Sequence, residues 1–327
     1  MRRAAPRSHP KSVALAVARE LFGQRAPRPA IHLVRRDRHA LYRTTAGGRA
    51  IAIKLFVDVG GSAAAEAHAR AAFGRQLPVP PLITQGRRDG LDYIALAWCK
   101  GTPLSDAIRR RARIPLGNAF EQAGRALGLL ARSGRVAPAS RRVLPRSPLV
   151  LTGRSRDRFL RDFARKVRVL GTRWGATFLA RLVDAAGWYH DRCATEEPVV
   201  AHGDFQPDNL LHASDGRLVG IIDWELSTIA PRWSDLSQML RFAATDALEE
   251  RLASGYRAVH PLPRDWTRAA RDYDALRIAL GLAGAPAGGA DEPHWRRHAE
   301  ACLAYLDRGD PTHARRTGHA LLSRPRA

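Results

Sequence analysis

The stretch Ala201-His202-Gly203-Asp204-Phe205-Gln206-Pro207-Asp208-Asn209, followed by Ile221-Ile222-Asp223-Trp224-Glu225, decides how this chain is read. Asp204 and Asn209 stand five residues apart on a loop between two strand-like runs, residues 199–200 and 210–211. Asp223 ends a third apolar run, residues 218–222, so a strand terminus presents it beside that loop. A carboxylate on such a loop can orient a hydroxyl and accept its proton. An amide oxygen and a second carboxylate are hard ligands suited to a divalent cation. An isolated Asp-x-x-x-x-Asn is an ordinary turn or cap, and a lone Asp after a strand is often a helix cap. The block carries meaning as a whole, through the spacing of all three groups.

Those are the groups that phosphoryl transfer from ATP requires: one base beside the attacking hydroxyl and two metal ligands. The spacing resembles the protein-kinase catalytic loop with its later metal aspartate. Gly203 stands where that loop has arginine, and Asp223-Trp224-Glu225 where it has Asp-Phe-Gly. In these two features the chain resembles the aminoglycoside phosphotransferase and choline-kinase family, and Asp235-Leu236 matches that family's later Asp-Leu pair. The run Asp223-Trp224-Glu225-Leu226-Ser227-Thr228 also resembles the small-molecule kinase domains found fused to acyl-CoA dehydrogenases. The resemblance implies an α+β, two-lobe, protein-kinase-like fold, with a small antiparallel-sheet N-lobe and a mainly helical C-lobe. It implies Asp204 as catalytic base, Asn209 and Asp223 as magnesium ligands, and ATP as donor. Within the loop, His202 reads as a structural histidine, Asp208 as a solvated carboxylate, and Glu225 as weaker in claim than Asp223.

The upstream half supplies the nucleotide parts of that resemblance. Residues 11–22 read as a helix, and three strand-like runs follow at 31–34, 40–45 and 50–56. Gly47-Gly48 marks a hairpin between the last two. An alanine-rich helix is expected over 62–73, then strands at 81–85 and 92–98. Lys54, inside the third strand, is the only lysine between Lys11 and Lys100, in a chain with 54 Lys+Arg of which nearly all are arginine. Keeping lysine there points to a need for a compact cation, and it resembles the strand lysine that contacts ATP phosphates. Glu66, the only acid of the following helix, is its expected ion-pair partner. The run ending Ala97-Trp98-Cys99-Lys100-Gly101 resembles the hinge, with adenine bonding backbone groups near Ala97 and Cys99. Recognition by backbone would admit GTP as well. The turn Arg35-Arg36-Asp37-Arg38-His39-Ala40 has no glycine where kinase phosphate loops usually have several. The boundary is expected at residues 98–101, giving a nucleotide-binding lobe over 1–98 and a helical catalytic and acceptor-binding lobe over 99–327. Helices are expected over 116–132, 156–170 and 177–193 and again from 234, with a Pro- and Arg-rich linker over 138–148.

Composition bounds the remaining choices. The 327 residues are 45% hydrophobic and carry a net charge of +23, which excludes a disordered chain or a disulfide scaffold. The charge is uneven: residues 1–175 hold 36 basic against 10 acidic side chains, the rest 18 against 21. Arginine is spread widely without interleaved aromatics, so nucleic acid is disfavoured as a partner. Cys99, Cys193 and Cys302 lack metal or disulfide spacing, and a reducing cytoplasmic setting is expected. The apolar run 13–18 is too short for a signal peptide, and no stretch is long enough to span a membrane. Only eleven residues separate Asp223 from Asp235, leaving no room for a peptide-docking segment. The expected partners are a nucleotide and a small molecule bearing a hydroxyl: an aminoglycoside, a sugar, an amino alcohol or a hydroxyacyl thioester. An acidic pocket around Asp246, Glu249, Glu250, Asp272 and Asp274 would favour a polycation, although these acids are more simply read as solvent-facing partners of nearby arginines. Two rival readings are a catalytically inactive nucleotide-binding regulator of the same fold and a basic nucleic-acid-binding protein.

Overall fold

The computed structural model describes residues 9–23, 30–36, 39–46, 48–57, 62–132, 136–285 and 292–308. In chain order the elements begin α1 (Pro10–Phe22), β1 (Ala30–Arg36), β2 (His39–Ala46), β3 (Arg49–Phe56), α2 (Ala63–Phe73), β4 (Leu82–Arg88) and β5 (Leu91–Ala97). There follow β6 (Thr102–Pro103), α3 (Leu104–Ile108), α4 (Leu116–Arg132), α5 (Pro138–Val143), α6 (Arg156–Trp174) and α7 (Ala176–Cys193). Then come β7 (Val199–Ala201), β8 (Leu210–His212), β9 (Leu218–Ile221), β10 (Thr228–Ala230) and α8 (Trp233–Leu240). The chain continues with α9 (Asp246–Arg257), α10 (Trp266–Gly284) and α11 (Glu292–Arg308). The described residues of Met1–Gly101 and Val219–Ser227 form one compact unit, and those of Thr102–Leu218 and Thr228–Ala327 a second. The fold is α+β, with an antiparallel sheet and many helices.

The first unit is built on the antiparallel sheet β1-β2-β3-β5-β4. Strand pairing runs further than the sequence suggests because two tight turns permit it. Ala46 pairs with Arg49 beside Gly48, a turn residue with φ +75°. Arg88 pairs with Leu91 across Asp89-Gly90, both at positive φ, the turn geometry that matches strand twist. Period-two alternation divides β3 between two apolar layers. Ile51, Ile53 and Leu55 pack with Val13 and Val17 of α1, while Ala52 and Phe56 pack with Ile94 and Leu96. Each such aliphatic side chain contributes about 1.5–3 kcal/mol on burial. Lys54 alternates onto the second face, between Ala52 and Phe56, and is 3% exposed. Helix α2 starts at Ser62, whose side chain accepts from Ala65 N–H, and stops at Gly74. Residues 219–227 join this unit: Ile221 N–H donates to Pro78 O at 2.8 Å, and Trp224 stacks on Phe73 at 5.7 Å.

The second unit is mainly helical. Its short strands pair antiparallel as β7 with β10 and β6 with β8. Part of the expected linker over 138–148 is helical as α5, started by Pro138 at its first position. Helices α4 and α9 meet backbone to backbone. A Cβ at Gly124 would lie 2.0 Å from Leu252 O, and one at Gly255 would lie 1.9 Å from Glu121 O. Helix α4 also packs on β7, which leads directly into residues 202–209. Gly255→Ala must therefore push the two helices apart, and we expect it to lower stability by about 3 kcal/mol in urea denaturation. A loss below about 0.5 kcal/mol would contradict the close approach.

Candidate functional site

In the first unit the predicted residues converge on one buried cation. Lys54 Nζ donates to Glu66 Oε2 at 2.8 Å and to Asp223 Oδ1, and it lies 2.8 Å from Glu225 Oε2. Burial opposes the ammonium, but Glu66, Asp223 and Glu225 overcome it and raise Lys54 above its ordinary value. Glu66 is fully buried on α2. Its other oxygen accepts from Arg70 Nη2 at 2.6 Å and Nε at 3.1 Å, one helical turn on. Burial pushes the Glu66 carboxyl up, and Lys54 and then Arg70 hold it below the usual carboxylate range. Asp223 is a non-glycine residue in the left-handed region, φ +67° and ψ +55°, between β9 and the turn Trp224–Leu226. Such a conformation costs about 1–3 kcal/mol. It is held by Trp224, fully buried, whose Nε1–H donates to Ile221 O at 2.9 Å.

Two further side chains stand beside this cluster: Glu225, which the sequence marks less strongly than Asp223, and His39, which it does not mark as a site residue. Glu225 Oε2 lies 3.3 Å from His39 Nδ1, and His39, Asp223 and Glu225 each present a ligand atom within 4.8 Å of the others. Burial raises Glu225 while His39 and Lys54 bring it below its ordinary value. Spacing within Asp223-Trp224-Glu225 was the available signal for Glu225. His39 carried none, because only strand pairing brings it there. Its neighbours Asp37 and Arg38 in the glycine-free turn lie outside the described residues. At the expected hinge, Ala97 N–H already donates to Pro81 O at 2.9 Å. Among the described residues the Cys99 backbone has no partner, while its Sγ donates to Val219 O at 3.4 Å.

The second unit holds Asp204 and Asn209. Asn209 Nδ2 donates to Asp204 O at 2.9 Å and to Asp204 Oδ2 at 2.8 Å. Both amide hydrogens are thereby used, and Oδ1 is left as the acceptor of this 2% exposed side chain. Gln206 Nε2 donates to the same Asp204 Oδ2 at 3.0 Å. Asp204 Oδ2 is thus tied down, and among the described residues no side chain donates to Oδ1. Asp235 secures the loop from α8, its Oδ2 accepting His202 N–H at 2.7 Å and its Oδ1 Gly203 N–H at 2.9 Å. One turn on, Gln238 Nε2 donates to Gly203 O at 3.0 Å. Gly203 has φ +84°, which disfavours arginine at this position. His202 is fully buried, and its Nδ1 accepts Asp204 N–H at 3.2 Å, the structural role expected of it. Asp208 is not simply a solvated carboxylate: it accepts from Ser105 Oγ at 2.5 Å and lies 3.6 Å from Arg109.

The carboxylates of Asp223 and Glu225, with the His39 ring beside them in the first unit, are donors suited to a divalent cation.

A family profile described as the phosphotransferase enzyme family matches residues 36–271, and the chain belongs to that family. A choline/ethanolamine kinase family protein from Mesorhizobium loti is 18% identical, with a TM-score of 0.63 over 95% of this chain and 97% of its own. A macrolide 2′-phosphotransferase from Brachybacterium faecium is 16% identical, with a TM-score of 0.61 over 97% and 98%. A spectinomycin phosphotransferase, solved with ADP and spectinomycin, is 14% identical, with a TM-score of 0.59 over 94% and 97%. These likenesses establish the protein-kinase-like fold. A probable acyl-CoA dehydrogenase from Arabidopsis thaliana is 36% identical over 63 residues, 17% of this chain and 8% of that protein's length. Among the described residues no helix is long and apolar enough to cross a membrane.

The Lys54–Glu66 pair makes a specific demand on pH. A carboxyl held low in the fold stabilises above its unfolded value, and that contribution is lost as the pH falls through the folded one. Glu66→Gln should cost about 3 kcal/mol. The gap from the parent protein should be full above pH 4.5, the ordinary glutamate value, and narrow at lower pH. Urea denaturation of both proteins across that range checks it; a gap independent of pH would contradict the pairing.

Proposed function

From membership of the phosphotransferase enzyme family, we propose that this chain is an ATP- and magnesium-dependent kinase of a small hydroxylated molecule. The observation that carries the proposal is Lys54 joined to both Glu66 and Asp223, residues 12 and 169 positions away in sequence. A buried lysine ammonium with compensating carboxylates is suited to meet phosphate oxygens as a point charge. On this reading residues 1–98 serve the nucleotide, residues 99–327 serve catalysis and the acceptor, and the segment 219–227 contributes Asp223 to the nucleotide side. Cys99, with its unpartnered backbone, and Ala97, through its carbonyl, serve adenine. Asn209 and Asp223 would hold magnesium, which when bound neutralises charge on the phosphate oxygens. The three cysteines, free in this structure, fit a reducing cytoplasm.

Asp204 is the base. Gln206 and Asn209 fix Oδ2, so Oδ1 faces the acceptor hydroxyl. The hydroxyl oxygen forms a bond to the γ-phosphorus as the bond from that phosphorus to the β-phosphate's bridging oxygen breaks. The hydroxyl proton passes to Asp204, and ADP leaves. ADP in the spectinomycin phosphotransferase structure supports the nucleotide half of this reading.

Asp204→Asn preserves the contacts' shape and removes the proton acceptor. We expect kcat to fall by about 10²–10⁴-fold with little change in nucleotide affinity. γ-Phosphate transfer assays, once an acceptor is found by screening hydroxylated metabolites and antibiotics, check it. Near-parental turnover would remove Asp204 from the role.

A further inference from the structure

The charges around the acceptor side of Asp204 bear on what the acceptor is. Arg241, the C-cap residue of α8, lies one turn after Gln238 in helical conformation, so the side chain that bonds Gly203 O and the Arg241 guanidinium share a face. Arg241 makes a two-pronged pair with Asp274 of α10, with Nε 2.6 Å from Oδ2 and Nη2 bonded to Oδ1. His298 of α11 bonds the same Oδ2 at 2.8 Å. Arg277, one turn after Asp274, reaches this already committed carboxylate only at 3.6 Å. Its Nε is buried with no hydrogen-bond partner among the described residues. The Arg277 side chain is nevertheless 36% exposed, so a ligand can reach it. Among the described residues, Asp274 is thus the one carboxylate within pairing distance of both guanidiniums, and Arg241 holds it.

The electrostatics agree with that geometry. Burial and then the neighbouring Arg241 charge push Arg277 below its ordinary value, while Asp274 and Asp204 act in its favour. Asp204 acts on Arg241 as well, so both guanidiniums lie within the field of the proposed base. Burial pushes His298 below its ordinary value, although its bond to Asp274 pulls the other way.

Most of the acids that would receive a polycation are paired elsewhere or buried. Glu250 pairs with Arg257 at 2.7 Å, and Glu249 lies 3.5 Å from Arg271. Asp272 is fully buried without a hydrogen-bond partner among the described residues, and burial raises its carboxyl well above the ordinary value. Asp274, His298 and Cys302 lie within 4.8 Å of one another. Even so, the Arg241 pair already occupies Asp274, and the surrounding guanidiniums oppose a further cation there.

Resting on the kinase reading above, we infer that the acceptor is a hydroxylated anion whose carboxylate or phosphate pairs with Arg277 while its hydroxyl faces Asp204 Oδ1. A guanidinium short of a partner is well matched to either oxyanion, whereas an amine-bearing acceptor would meet like charge.

The test is γ-phosphate transfer by the full-length protein, with MgATP, to three sets of alcohols. The sets are hydroxycarboxylates and phosphorylated alcohols, neutral sugars, and amino alcohols with aminoglycosides. The expected result is kcat/KM for one of the two anionic classes at least about tenfold above the rest. The carboxylate and phosphate arms identify which oxyanion it is. Arg277→Gln should raise KM for that acceptor about tenfold and move the KM for ATP less than about twofold, with Arg277→Lys in between. Preference for neutral or cationic acceptors overturns the inference and leaves the kinase reading intact, as does an unmoved acceptor KM in Arg277→Gln. Transfer to no alcohol at all overturns the kinase reading and the inference with it. The acceptor panel decides the matter even where a variant does not fold.

Discussion

The buried ammonium of Lys54 is the constraint around which the first unit is arranged. An ion of this kind, 3% exposed, is costly unless it is fully compensated. Compensation comes from three places in the sequence: Glu66 on α2, and Asp223 and Glu225 on the segment that returns to this unit. Each partner must be delivered to the same point. The cap at Ser62 sets where α2 begins, the Trp224–Phe73 stack and the Ile221–Pro78 bond dock the returning segment, and the left-handed turn at Asp223 aims its carboxylate. Local strain at Asp223 persists because these contacts over-determine it.

The second unit solves a different problem with similar means. A loop that must present one carboxylate oxygen in a fixed direction is held by neutral donors and by backbone contacts from α8. Asp235 accepts two successive backbone N–H groups, and Gln238 bonds the carbonyl that follows. Asn209 orients Asp204 through both of its amide hydrogens, and its oxygen accepts from no side chain among the described residues. In the protein-kinase pattern an arginine stands at the position of Gly203, where it can answer an activating phosphate. Here Gly203 has φ +84°, a conformation that disfavours arginine at this position.

Much of this was legible in the sequence where chemistry and local pattern coincide. Lys54 stood out as a cation inside an alternating apolar strand, and Glu66 as the one acid of the next helix. The five-residue spacing of Asp204 and Asn209 and the strand-end position of Asp223 were equally plain, and the family match agrees with the resemblance they carried. What was hidden depends on contacts between distant segments. His39 meets Glu225 only through strand pairing and the return of residues 219–227. The close approach of α4 and α9 at Gly124 and Gly255 is set by tertiary packing, which no local pattern in either helix marks. Asp274 was read more simply as a solvent-facing partner of nearby arginines, yet it is 2% exposed and its partner Arg241 lies 33 residues away. Periodicity marks which faces are buried but does not say which buried charges meet.

The central claim is that Lys54 and its carboxylates form a site for a magnesium–nucleotide complex, and calorimetric titration of ATP with and without Mg²⁺ tests it most directly. For the parent protein Mg²⁺ should tighten ATP binding by at least about tenfold, and Asp223→Ala should abolish that difference. Equal ATP affinity with and without the ion in the parent protein, or a magnesium effect that survives Asp223→Ala, would contradict the account.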